Sequence, residues 1–229
     1  MPMSTVTRAP ACNGHTTHWD SLTEQSNELW SRFRASLGKR LERTSSERFE
    51  LAWQSRSNRT SFILTELLPN VAADLELTPR SELFKVDMAM GRSDPSCFVP
   101  IVWIESENDV SSIDHEVRKL AALSGPLKVL FACCEWDSTP GVYVHGGAQR
   151  QCLAEWSNVL RSHGEAWPSH AVFAVVVAEW NEHLRFFVTA FDGMGTCIDV
   201  HDVLFERPMA VGPAQLTDAT TSMIQASAR

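Results

Sequence analysis

Asp87, Glu105 and Glu107 are the residues whose types and spacing best suit chemistry. Glu105 and Glu107 stand two apart in the run Val99 to Glu107, Val-Pro-Ile-Val-Trp-Ile-Glu-Ser-Glu. In a strand, residues two apart share a face and lie about 6.6 Å apart along the chain. Ile101 and Trp103 precede them on that face, so the pair ends an apolar row. Asp87 lies in the run Leu83 to Met90, which the turn formers of Gly91 to Ser96 separate from the first. The two runs predict a hairpin, in which cross-strand neighbours come within about 5 to 8 Å. Three carboxylates can then converge. Their mutual repulsion calls for a cation or for shifted proton affinities. Mg²⁺ or Mn²⁺ is the economical solution, because a hard ion takes one or two carboxylates beside waters and phosphate oxygens. An acidic strand end is also an ordinary way to keep a sheet edge from pairing.

The elements that must position these residues follow from periodicity. Leu22, Leu29, Trp30, Phe33 and Leu37 recur at helical spacing before Gly38, and Phe49, Leu51, Ala52 and Trp53 follow a Ser-rich break. A third helix is predicted over residues 60–74, kinked or divided at Pro69. After the hairpin a helix is expected from Ser112 to Ser124, with Ile113, Val117, Leu120 and Leu123 on one face and Gly125-Pro126 ending it. Leu127 to Cys134 is an apolar run suited to a strand buried on both faces. A helix over 149–162 and strands over 171–179 and 184–191 complete the pattern. The expected fold class is α/β, a mixed central β-sheet flanked by helices on both faces.

The order helix, strand ending near Asp87, strand with Glu105-Ser106-Glu107, helix, buried strand resembles the PD-(D/E)XK nuclease superfamily, the restriction-endonuclease-like fold, from about Arg59 to Trp136. The resemblance implies a Mg-dependent nuclease that hydrolyses the phosphodiester bonds of nucleic acid. It makes Asp87 and Glu105 the metal ligands, and by order of elements makes Glu66 an acidic residue supplied by the first core helix. Where the family places its lysine this chain has Glu107, so the resemblance is to a divergent Glu-x-Glu member. Glu107 would then orient water, and the catalytic cation would come from Lys119 on the following helix or from Lys85 beside Asp87. Helical arithmetic sets Lys119 roughly 110° from the core-facing direction and Glu116 nearer the buried edge. A chain lacking the standard lysine can instead be an inactive nuclease-fold scaffold that binds a protein or nucleic-acid partner. Asn108 and Asp109 are expected to cap the following helix.

The chain of 229 residues is 44% hydrophobic and 21% charged, an ordinary balance for a closed core. One domain is expected over 20–207, between flexible tails at 1–19 and 208–229. No run approaches the roughly 20 apolar residues of a membrane helix and the first 20 residues lack a signal-peptide stretch, so a cytoplasmic protein without membrane partners is expected. The net charge of −8 argues against a surface coated for nucleic acid. From Arg32 to Arg59, however, eight basic residues face three acidic ones, a net +5. That stretch, residues 32–59, is either a nucleic-acid contact or a basic surface paired with acidic neighbours. The six cysteines form no CxxC pair and read as mostly buried small hydrophobes, and Trp53, Trp103, Trp136, Trp156, Trp167 and Trp180 read as core.

Overall fold

A sheet covered on both faces needs central strands that are apolar almost throughout, and two segments meet that demand with one charged residue each, Lys128 and Glu179. The computed structural model describes residues 18–108 and 113–209. In it β4 (Leu127–Cys133) is buried along all but its last residue and β5 (Val172–Trp180) along its whole length. Around them lie β1 (Thr78–Leu83), β2 (Val86–Ser93), β3 (Phe98–Glu107), β6 (His183–Phe191) and β7 (Cys197–Pro208), a seven-stranded sheet in sequential order. The pairs β3–β4 and β4–β5 are parallel and the others antiparallel, which makes the sheet mixed, as expected.

Parallel neighbours require crossovers, and these are α5 (Ile113–Ala122) and α6 (Gln149–Ala166). Both pack on one face, where Val117, Leu120, Trp156 and Leu160 meet Trp103, Leu130 and Val175. The other face carries α1 (His18–Arg43), α2 (Ser46–Trp53), α3 (Arg56–Ser61), a π-helical stretch at Phe62–Leu67, and α4 (Leu68–Asp74). Phe49 is central there, with its ring 5.5 to 6.2 Å from those of Trp53, Phe62, Phe186 and Phe205. Ser45 and Ser55 cap α2 and α3 by accepting from Arg48 N and Asn58 N.

Several sequence expectations need correction. α1 runs through Gly38 rather than stopping; a Cβ there would sit 3.2 Å from Leu204 Cδ1, so glycine serves close packing of helix on strand. The helix expected over 60–74 is divided before Pro69 by the π stretch, which leaves proline in the first turn of α4, where no N–H is needed. The strand expected from Leu83 to Met90 is two strands, since Leu83 pairs with Val86 across a two-residue turn. β1, Thr-Pro-Arg-Ser-Glu-Leu, is a polar edge strand that tolerates Pro79 and offers no apolar period to detect. β7 forms the opposite edge and also went unassigned. Trp167 is 80% exposed and Cys97 and Cys197 are exposed, so none of the three is core. Of the expected tails, residues 1–17 and 210–229 lie outside the described residues, as do Cys12 and Asp109. No described helix is long and apolar enough to cross a membrane.

The β1–β2 turn is strained. Phe84 and Lys85 have φ of 52° and 62°, the left-handed geometry of a type I′ turn, which favours Asn-Gly. A non-glycine residue pays about 1 to 2 kcal/mol there. Lys85→Gly is therefore expected to raise stability by about 1 kcal/mol in urea unfolding, although it removes a side chain.

Candidate functional site

The hairpin brings Asp87 and Glu105 together, next to the paired residues Met88 and Ile104. Asp87 Oδ2 accepts from Ser106 N at 2.8 Å, so its side chain extends the ladder where β2 turns away. Glu105 lies near the carboxyl end of β3, 2% exposed, on the face that α5 covers. The helix is held there by Ile113, Val117 and Leu120 and sets Glu116 and Lys119 on its flank. Lys119 Nζ stands 2.6 Å from Glu105 Oε1, 2.5 Å from Glu116 Oε2 and 3.2 Å from the carbonyl of Lys85. An ammonium has three N–H donors, and three acceptors surround this one.

Burial is the main force on Glu105 and pushes its carboxyl up to about 7, aided by the charges of Asp87 and Glu116 and opposed by the bond from Lys119. Burial weakens the Lys119 ammonium too, but its bonds to Glu105 and Glu116 outweigh that and hold its proton more tightly than in free lysine. The long lysine stem reaches around the helix flank, which is why an angular offset of the Cα did not keep it away.

The expected residues separate into those at this centre and those elsewhere. Asp87, Glu105 and Lys119 meet, joined by Glu116. Among the described residues Lys85 contributes its carbonyl, and its side chain is exposed. Glu107 accepts from Asn108 N at 2.7 Å. Asn108 does not cap α5: its side chain accepts from Arg59 Nε at 3.0 Å and donates to Thr60 Oγ1 at 2.9 Å, tying β3 to α3. Glu66 is not at the centre. It belongs to the helical layer on the opposite face and is ion-paired with Arg48, which holds its carboxyl below the usual range. Within residues 32–59, Arg34 pairs with Asp199 and Asp202, Arg40 with Asp74 and Arg48 with Glu66.

The donor set does not fit the expected Mg²⁺ or Mn²⁺. A lysine ammonium already stands between Glu105 and Glu116, one oxygen of Asp87 is held by a backbone N–H, and Glu66 is absent from the site. Among the described residues no group of three or more His, Cys, Asp or Glu is disposed to hold a metal ion.

Two further buried charges went unnoticed in the sequence. Glu179, 1% exposed, accepts from Trp136 N and Asp137 N at 2.9 and 2.7 Å, and Arg185 Nη1 lies 3.7 Å from it. It pins the chain leaving β4. Lys128, 4% exposed, donates to Ala121 O at 3.0 Å. Each is a charged residue inside a run otherwise apolar enough to be buried on both faces, and that mismatch was the available signal.

No family model matches the chain, and no curated protein matches it. Among solved structures, a carbon-nitrogen hydrolase from Helicobacter pylori G27 is 8% identical over 90% of this chain and 90% of that chain, with a TM-score of 0.34. A similarity that low assigns neither a fold nor a chemistry to this chain. The expectation of a PD-(D/E)XK nuclease is corrected: no family model of that superfamily matches, the solved structure named here is a carbon-nitrogen hydrolase, and Glu66, which the resemblance brought to the metal, lies on the opposite face of the sheet. The superfamily membership, the nuclease function and the inactive nuclease scaffold are set aside with it, and the α/β mixed sheet stands without the restriction-endonuclease-like label.

Proposed function

We propose that the chain is a hydrolase of the acid–base type, with Glu105 as its proton-transfer group. The observation that carries this reading is a buried carboxyl near the end of a parallel strand, held by Lys119 at 2.6 Å and raised to about 7. Carboxyl ends of parallel strands are where open α/β sheets place their ligands. A group with a pKa near the working pH gives a useful product of basicity and correct protonation, contributing typically 10²- to 10⁴-fold. Lys119 stands at Oε1, and in this reading Oε2 takes the proton of an attacking water. Asp87 and Glu116 raise the basicity of the ionised form. The pairing of β2 with β3 and the Asp87 bond to Ser106 N support this reading by holding these groups in register.

The linkage to stability has a definite sign. Glu105 carries a raised pKa in the folded chain, so between about 4.5 and 7 the folded state binds more protons than the unfolded one, and stability falls as pH rises through that window. Lys119→Met removes the interaction that opposes the rise. The carboxyl of Glu105 is then expected to titrate above 7, as followed by ¹³C NMR of its side chain, and the fall in stability to extend to higher pH from the same starting point near 4.5.

For activity, chromogenic esters and amides assayed from pH 5 to 9 are expected to give a rate that rises through about pH 7 and levels off as Glu105 ionises. Glu105→Gln should lower that rate at least 100-fold, and Lys119→Met should shift the inflection upward. Hydrolysis that survives Glu105→Gln unchanged would exclude Glu105 as the proton-transfer group.

A further inference from the structure

At the other end of α5, where β4 and β5 begin, a cavity of about 760 Å³ opens beside Lys128. This lysine lies on the α5 and α6 face of β4, between its strand neighbours Trp103 and Phe173. One of its three donors meets Ala121 O at 3.0 Å, a carbonyl in the last turn of the helix. Burial alone pushes its proton affinity down, to about 8, with no carboxylate among the described residues opposing the shift. Glu105 and Glu179, the buried acids of the same sheet face, have cationic neighbours in Lys119 and Arg185. Among the described residues the hydrogen-bond partner of Lys128 is a neutral carbonyl.

The walls differ from those of other clefts, which carry Asp199, Glu66, Asp114 with Glu155, and Glu28 with Glu76. In a chain of net charge −8, the described residues that line the cavity include no acidic side chain. It offers Leu22 from α1, Leu123 from the turn after α5, Trp167 after α6, and the imidazoles of His163 and His170. Trp167, 80% exposed, presents a large apolar ring at the rim instead of packing it. The volume falls in the range of small-molecule sites, which are largely apolar with a few convergent polar groups.

We propose that this cleft binds a small monocarboxylate with an apolar body, the carboxylate on Lys128 and the hydrocarbon or aromatic part against Leu22, Leu123 and Trp167. A single ammonium with two donors beyond its bond to Ala121 matches one carboxylate in charge and in hydrogen bonding. A phosphate dianion would bring more charge and more acceptor oxygens than one lysine satisfies. A neutral apolar molecule would leave the buried ammonium without its counter-charge. The inference does not rest on the reading of Glu105, which lies toward the opposite end of α5.

Calorimetric titration tests it with octanoate and 3-phenylpropanoate, set against the matched alcohols octan-1-ol and 3-phenylpropan-1-ol. Both acids are expected to bind saturably with one site per chain, and each alcohol at least ten-fold more weakly than its acid. Lys128→Met keeps the volume and removes the charge, and should bring the acids down to the level of the alcohols. Trp167→Ala changes an exposed residue and should weaken acids and alcohols alike several-fold, which gives a second test should Lys128→Met fail to fold by circular dichroism. Equal affinity of acid and alcohol for the wild-type chain, absence of saturable acid binding at millimolar concentration, or full acid affinity in Lys128→Met would each overturn the proposal. So would unchanged binding in Trp167→Ala.

Discussion

Covering β4 and β5 on both faces removes water from the middle of the sheet, and that exclusion governs how every charged group nearby is arranged. A carboxylate or ammonium carried into such a layer must find a partner or change its protonation. Glu105 does both: it meets the Lys119 ammonium and its carboxyl is shifted to about 7. Glu179 is satisfied differently, by two backbone N–H groups of the segment leaving β4 and by Arg185 nearby. The same dry environment therefore supports one carboxyl that can trade a proton near neutrality and another that serves to fix a loop.

The centre around Glu105 is assembled by three kinds of force acting at different ranges. Strand pairing of β2 with β3 sets Asp87 beside Glu105, and the Asp87 bond to Ser106 N continues that pairing through a side chain. Apolar burial of Ile113, Val117 and Leu120 seats α5. Only then can the flexible stem of Lys119 bridge Glu105 and Glu116, while its third donor reaches the carbonyl of Lys85 in a turn whose residues adopt positive φ. A strained turn and a buried ion pair are thus linked by one hydrogen bond.

The outer helical layer follows another logic. Its basic residues are numerous, yet Arg34, Arg40 and Arg48 each fork onto carboxylates brought from distant parts of the chain, Asp199 and Asp202, Asp74, and Glu66. Guanidinium groups favour such planar, two-pronged pairing. Part of a basic stretch in the sequence is here committed to ion pairs that join α1 to β7, α1 to α4, and α2 to the π-helical stretch.

The sequence by itself determined the fold class and much of its order. The largely apolar runs of β4 and β5 specify a doubly covered sheet, the face of Ile113, Val117 and Leu120 specifies α5, and the two-residue step from Trp103 puts Glu105 on the face that α5 covers, although the bulge beside Gly91 turns Ile101 to the other face. Local pattern is enough for these because burial repeats with the period of the element. Tertiary structure alone decided the rest. β1 has no apolar period, being a polar edge, and the turn at Phe84-Lys85 lacks the residues that usually announce it, since pairing across the sheet imposes its geometry. The seating of an ammonium beside Glu105, and the removal of Glu66 to the opposite face, depended on where a flexible lysine and a distant arginine come to rest. Spacing along one chain does not encode such meetings; they follow from how whole elements pack, and from the cost of leaving a charge alone in a dry interior.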